Sequence, residues 1–174
     1  MSFQNQFTKT TTDANLMETV HHGNAEYPFR YYYENIALFD FKCIDWHWHS
    51  ELEFIYIESG NVVFDIGTVH FELNEGNGIM INSKILHRLQ SSSDAIIPNF
   101  LFQPSFIAPQ DSLIYKKYIN PVISSSLEYL VFQPDIPWQK KALEIIKTII
   151  AVQETEFNRE IIVSMSVQQL WILL

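Results

Sequence analysis

The stretch WHWHSELEFIYIESGN, from Trp46 to Asn61, decides how this chain is read. Two histidines stand two apart, a glutamate follows four residues later, and a glycine closes the motif. On an extended strand side chains alternate, so His47 and His49 share one face while Trp46 and Trp48 take the other. Two imidazoles about 7 Å apart along a strand can converge on one ion. Glu53 has the same parity, but a straight strand carries it roughly 13 Å beyond His49. The chain must therefore bend between Ser50 and Leu52 for the three to meet. A fourth partner, His87, follows the turn-rich segment NEGNGIMINSKILH and joins them if it arrives on a neighbouring strand. Three nitrogens and a carboxylate oxygen suit a divalent Zn, Ni, Mn or Fe ion. They also suit hydrogen bonding alone, to a bound ligand or to nearby carboxylates. Spacing alone leaves both open.

On either side of this stretch, from Arg30 to about Phe102, the texture is β-rich. LEFIYI (52–57), NVVFDI (61–66), VHFEL (69–73), GIMIN (78–82) and FLF (100–102) are separated by SGN, IGT, NEGNG and NSK, which are turn material. Short strands at this spacing predict a sandwich or small barrel. After Pro104 the period changes. DSLIYKKYINPVI predicts a short helix that stops before Pro121. Pro137 opens WQKKALEIIKTIIAVQE, where Ala142, Leu143, Ile146, Ile149 and Ile150 form one helical stripe. A last helix is expected from about Asn158 to Leu174, with Ile161, Ile162, Met165, Leu170, Trp171 and Leu174 as its apolar side, Asn158 as cap and Glu160 in its first turn.

Composition narrows the classes. Of 174 residues, 47% are hydrophobic and 18% charged, enough to bury a core. The formal net charge of −9 repels phosphate backbones, which argues against DNA or RNA binding by this segment. A lone cysteine, Cys43, makes no internal disulfide and reads as a structural thiol in a reducing compartment. There is no signal-peptide pattern and no apolar run of roughly 20 residues, so a cytoplasmic protein without membrane contact is expected. Residues 1–25 read as a flexible N-terminal arm, in which His21 and His22 are expected at the surface. His70 is expected on a hairpin face, and Glu26, Glu34 and Glu58 read as solvated charges. Trp46, Trp48, Tyr56 and Phe64 are candidate stacking faces for a ligand. No phosphate loop, nucleophile elbow or zinc-protease helix occurs. The ending QQLWILL stops in mid-stripe without a glycine or basic last turn, which predicts that the sequence continues.

The arrangement HxHxxxE, six residues and a glycine (His47, His49, Glu53, Gly60) resembles the first motif of the cupin superfamily. Gly76 to His87 resembles the second, although Ser83, Lys84 and Ile85 replace its usual Pro-x-Gly turn. Over Tyr27 to Leu174 the chain is similar to the N-terminal domain of AraC-type transcription regulators. "HWHSELEFIYIESGNV…FELNEGNGIMINSKILHRLQ" resembles their sensor barrel, and "IYKKYINPVI…PWQKKALEIIKTI…REIIVSMSVQQLWILL" the helices that follow. The resemblance implies a mainly β fold: a cupin-like double-stranded β-helix (jelly-roll) barrel over 26–104, followed by C-terminal α-helices over 105–174 that serve dimerisation. It implies a small-molecule effector, for which His47, His49, Glu53 and His87 are the candidate ligand residues, and dimerisation through the helices; the surplus apolar surface of the last helix puts Leu170, Trp171 and Leu174 at the homodimer interface. DNA binding then belongs to a further helix-turn-helix domain. The rival readings are a metal-dependent cupin enzyme, such as a dioxygenase or isomerase, and a dimerisation module with a collapsed pocket. For the first of these the same four residues would be the metal ligands.

Overall fold

The computed structural model describes residues 7–154 and 157–174. The strands are β1 (Phe29–Asn35), β2 (Cys43–His47), β3 (Leu52–Tyr56), β4 (Asn61–Ile66), β5 (Val69–Asn74), β6 (Gly78–Ile81), β7 (His87–Gln90), β8 (Ile96–Phe102) and β9 (Tyr129–Phe132). The α-helices are α1 (Asn120–Ile123), α2 (Pro137–Ala151) and α3 (Arg159–Leu173). The strands form two antiparallel sheets, ordered β1-β8-β3-β6-β9 and β2-β7-β4-β5. This is the expected cupin-like jelly-roll barrel followed by C-terminal helices.

The apolar run of β3 has a simple cause: it is buried on both faces. Ile55, with Ile79, Ile81 and Ile97, packs inward against Val62, Phe64, Ile66 and Leu89 of the facing sheet. Leu52 and Phe54, with Met80, Phe100, Phe102 and Phe132, pack outward against Leu143, Ile146, Val167 and Leu170 of the helices. A strand covered on two sides loses the polar alternation of a half-exposed one. Glu53 shares the parity of Ile55 and so points into the barrel.

Gly60 shows why the first motif ends on glycine. Its φ is +81°, and a Cβ there would lie 2.5 Å from the carbonyl oxygen of Asp94. The backbone needs both the left-handed conformation and the missing side chain.

Several expectations are corrected. β9 lies within the segment 105–174 yet completes the first sheet beside β6, so barrel and helical segment do not divide at residue 104. The helix around Tyr115 does not stop before Pro121. A π-helical turn (Tyr115–Ile119) leads into α1, with Pro121 in its first turn, where a missing N–H costs little. Asn158 occupies the cap position of α3 at φ 62°, but its side chain caps nothing.

The stripe of α3 is rotated from the one expected. Val163, Ser166, Val167, Leu170 and Trp171 are buried, while Ile161, Met165 and Ile172 are exposed. Trp171 donates its indole N–H to the carbonyl of Tyr118 at 3.1 Å. Leu170 and Trp171, 1% and 9% exposed, are thus already covered within the chain. Of the three residues expected at a dimer interface, Leu174 alone remains at the surface. The cause is that α3 carries apolar residues on nearly every side, so packing against α2 and the barrel chose the face.

Residues 7–25 do not trail away from the barrel. Met17 bridges Trp48, and the amide of Asp45 donates to the Thr10 hydroxyl at 2.8 Å. Phe7 lies against Tyr32, with ring centroids 6.0 Å apart. The first six residues of the expected arm fall outside the described residues.

Candidate functional site

The four motif residues meet between the sheets, each by a different local device. Ile44 pairs with Leu89 and His47 with His87, so β2 spends three steps where β7 spends two. That extra residue is a bulge, and it turns His47 inward where uninterrupted alternation from Ile44 would send Trp46. After His47 the chain leaves the second sheet and re-enters the first at Leu52. The expected bend near Ser50 is this crossing. His49 lies within it, Glu53 on β3 and His87 at the start of β7.

Each imidazole is oriented by its own backbone. Nδ1 of His47 bonds the carbonyl of Asp45 at 2.7 Å, that of His49 the carbonyl of Glu51 at 3.2 Å, and that of His87 the carbonyl of Ile85 at 2.8 Å. A carbonyl only accepts, so each Nδ1 donates its proton and each Nε2 is left to face the interior. Metal-binding histidines are held by the same kind of bond. The ligand atoms of His47, His49 and His87 lie within 4.8 Å of one another, and these three histidines could hold a metal ion.

Glu53 completes the set. Its Oε2 lies 3.4 Å from Nε2 of His49 and 3.2 Å from Nε2 of His87. The His87 contact lacks hydrogen-bond alignment, which leaves this fully buried nitrogen without a partner. Burial pushes the Glu53 carboxyl up, but His49 and His87 outweigh it and hold the group well below the usual carboxylate range. Burial, then His87 and His49, push His47 well below the ordinary imidazole value.

Beside these groups lies a small cavity of about 50 Å³. His47 and Glu53 line it on one side, Glu18, His22, Tyr32, Glu34 and Asn99 elsewhere. None of these last five was a site candidate in the sequence. His22 is buried instead of exposed, bonding the Tyr32 hydroxyl through Nδ1 and Glu18 through Nε2, both at 2.9 Å. Glu34 is buried instead of solvated, and accepts from Asn99 Nδ2 at 3.0 Å. Burial drives its carboxyl up to about 7. Asn99 did carry a signal, as the lone polar residue of the strand IIPNFLF.

The remaining assignments divide. Trp46 faces outward beneath Arg88, and Trp48 donates its indole N–H to the carbonyl of Asn15. Tyr56 lies outside against Lys147, and Phe64 stacks on Phe71 in the core. None of these four lines the cavity, whose aromatic lining is Phe7, Tyr32 and Phe39. His70 is on an exposed strand face as expected, 2.7 Å from Asp65. His21, Glu26 and Glu58 are exposed, and Cys43 is half-buried.

Comparison with known proteins fits this geometry. Residues 40–109 match the family model of the AraC-like ligand binding domain. The chain is 31% identical over 163 residues to an HTH-type transcriptional regulator of Bacillus subtilis (strain 168), YdeC. The match covers 91% of this chain and 55% of that protein, so the chain spans about half of its relative's length. Among solved structures, a cupin superfamily protein of Desulfitobacterium hafniense DCB-2 is 9% identical at a TM-score of 0.40, covering 44% of this chain and 68% of that one. An RmlC-like cupin of Shewanella frigidimarina NCIMB 400 is 14% identical at 0.39, covering 44% and 67%. At these TM-scores neither likeness carries an argument, and the fold rests on the strand order above.

Proposed function

We propose, from the match of residues 40–109 to the family model of the AraC-like ligand binding domain, that this chain is the effector-sensing and dimerisation part of an AraC-type transcription regulator. The observation that carries the reading is the convergence of His47, His49, Glu53 and His87 inside a barrel of this family. Effector binding there biases the whole protein between two arrangements, by no more than its difference in affinity for them. DNA binding falls to a helix-turn-helix domain of the whole protein, since the present residues carry a net charge of −9. The four site residues bind and do not catalyse, and the protein works in the cytoplasm beside its promoter. Among the described residues no helix is long and apolar enough to cross a membrane.

A divalent Zn, Ni, Mn or Fe ion fits the donor set, on the ground of three converging imidazole nitrogens, one carboxylate beside them and the Nε2 of His87 without a hydrogen-bond partner. Bound there, it supplies a Lewis-acidic centre for an oxygen of a ligand. The homodimer forms through the outer face of α3, where Ile161, Met165 and Ile172 are 60%, 56% and 82% exposed.

The test is promoter binding by the full-length regulator with and without candidate effectors. The response is expected to vanish in His49→Ala while basal DNA binding persists; an unchanged response would remove the site from the mechanism. The complete His and Glu set favours one second reading, a metal-dependent dioxygenase or isomerase. Turnover by the metal-loaded chain, lost in Glu53→Gln, would establish it.

A further inference from the structure

Tyr32 and Glu34 share one parity on β1, and β8 lays Asn99 opposite Tyr32 and Ile97 opposite Glu34. Asn99, 3% exposed, spends its amide N–H groups on Glu34 Oε2 at 3.0 Å and on the carbonyl of Ile97 at 3.1 Å. Its Oδ1 and Glu34 Oε1 accept no hydrogen bond among the described residues, although Glu34 is only 7% exposed. Both residues line the inner cavity. Buried polar atoms rarely stay unpaired, so two spare acceptors at one cavity call for a donor from outside the chain.

Charge decides what kind of donor. Three carboxylates line the cavity, Glu18, Glu34 and Glu53. Glu18 lies 2.9 Å from His22 Nε2, and Glu53 lies 3.4 Å and 3.2 Å from the Nε2 atoms of His49 and His87. Glu34 alone is paired with nothing but a neutral amide. The two basic side chains nearby, Lys9 in the lining and Arg30 over the Tyr32 ring, are exposed to solvent. Phe7, Tyr32 and Phe39 add three aromatic rings, whose faces attract cations.

We propose that this cavity takes a small organic cation with N–H donors, a primary amine or a guanidine, whose head bonds Glu34 Oε1 and Asn99 Oδ1. The inference rests on the sensing reading above and names the class of its effector. A neutral polyol would satisfy the two acceptors but leave Glu34 without a counter-charge. A carboxylate would add a fourth acidic group to the lining.

The experiment follows thermal unfolding of the untagged chain in EDTA and physiological salt. The probes are methylamine, ethanolamine, putrescine and agmatine, with methanol, ethylene glycol and butanediol as neutral counterparts. At about 100 times its Kd, one of these amines is expected to raise the midpoint by roughly 5–10 °C, and the neutral counterparts to leave it in place. Glu34→Gln is expected to weaken binding by roughly 30-fold or more, because it removes one charge of a buried pair. Glu72→Gln, at an exposed position on β5, must leave binding unchanged, which separates the site from general attraction to an acidic chain. No shift with any amine, an equal shift with a neutral counterpart, or undiminished binding to Glu34→Gln overturns the proposal. If that variant does not fold, the comparison of amine with counterpart decides alone. Ribose or succinate acting where the amines do not refutes this inference and keeps the sensing reading. An amine that binds the chain but leaves promoter binding by the full-length regulator unchanged keeps the site and refutes the sensing reading.

Discussion

His47 and His87 stand directly opposite each other on β2 and β7, their ring centroids 4.1 Å apart. Two imidazoles this close, buried at 4% and 0% exposure, cannot both be charged at low cost. His47 is accordingly held neutral, with its imidazole well below the ordinary value. A histidine depressed in the folded state contributes stability above its unfolded value near 6.5, lost as pH falls below it. The metal-free protein should therefore lose urea resistance below about pH 6.5. His47→Gln should flatten that acid limb, and an equally steep limb in the variant would assign the loss to another group.

Glu34 acts in the opposite direction. Its carboxyl rises from 4.5 to about 7 on folding, chiefly through burial. A raised acid favours the folded state at low pH, and the contribution is lost as pH climbs from about 4.5 to about 7. The loss is on the order of 3 kcal/mol. Glu34→Gln keeps the contact with Asn99 and should be more stable than wild type at pH 8, with little difference at pH 4. Denaturant midpoints at the two pH values check this.

Gly60→Ala tests the turn that closes the first motif. The φ of +81° and the 2.5 Å approach to Asp94 act together. A loss of about 2–3 kcal/mol is expected in urea unfolding. A loss below about 0.5 kcal/mol would show that the turn relaxes.

The two sides of α3 should respond differently. Leu170→Ala removes a side chain 1% exposed from the core and should cost about 2–5 kcal/mol. Ile161→Glu and Ile172→Glu change exposed positions, so the thermal midpoint should hold while self-association weakens. Sedimentation equilibrium at several concentrations reads the second effect. An unchanged association constant would move the dimer interface elsewhere.

The 174-residue chain should show no specific DNA binding at physiological salt, given its charge of −9. A gel shift at nanomolar protein with any promoter fragment would contradict this.

The sequence alone determined the strands from Leu52 to Ile81, the helix opened by Pro137 and the identity of the four converging residues. Each depends on a local rule: turn residues between apolar runs, a proline in a first turn, and alternation of side chains along a strand. Where both parities are apolar, local rules give no contrast. β3 is buried on both faces and α3 is apolar nearly all round, so only the packing of sheet on sheet and helix on sheet chose which side chains point where. The bulge before His47 is likewise invisible in CIDWH, because it arises from pairing with β7, forty or more residues away in the sequence. The burial of His22 and Glu34 needed the N-terminal segment and β1 to close on the same cavity. Which polar residues leave water is decided by contacts across the whole chain, and those exist only once it has folded.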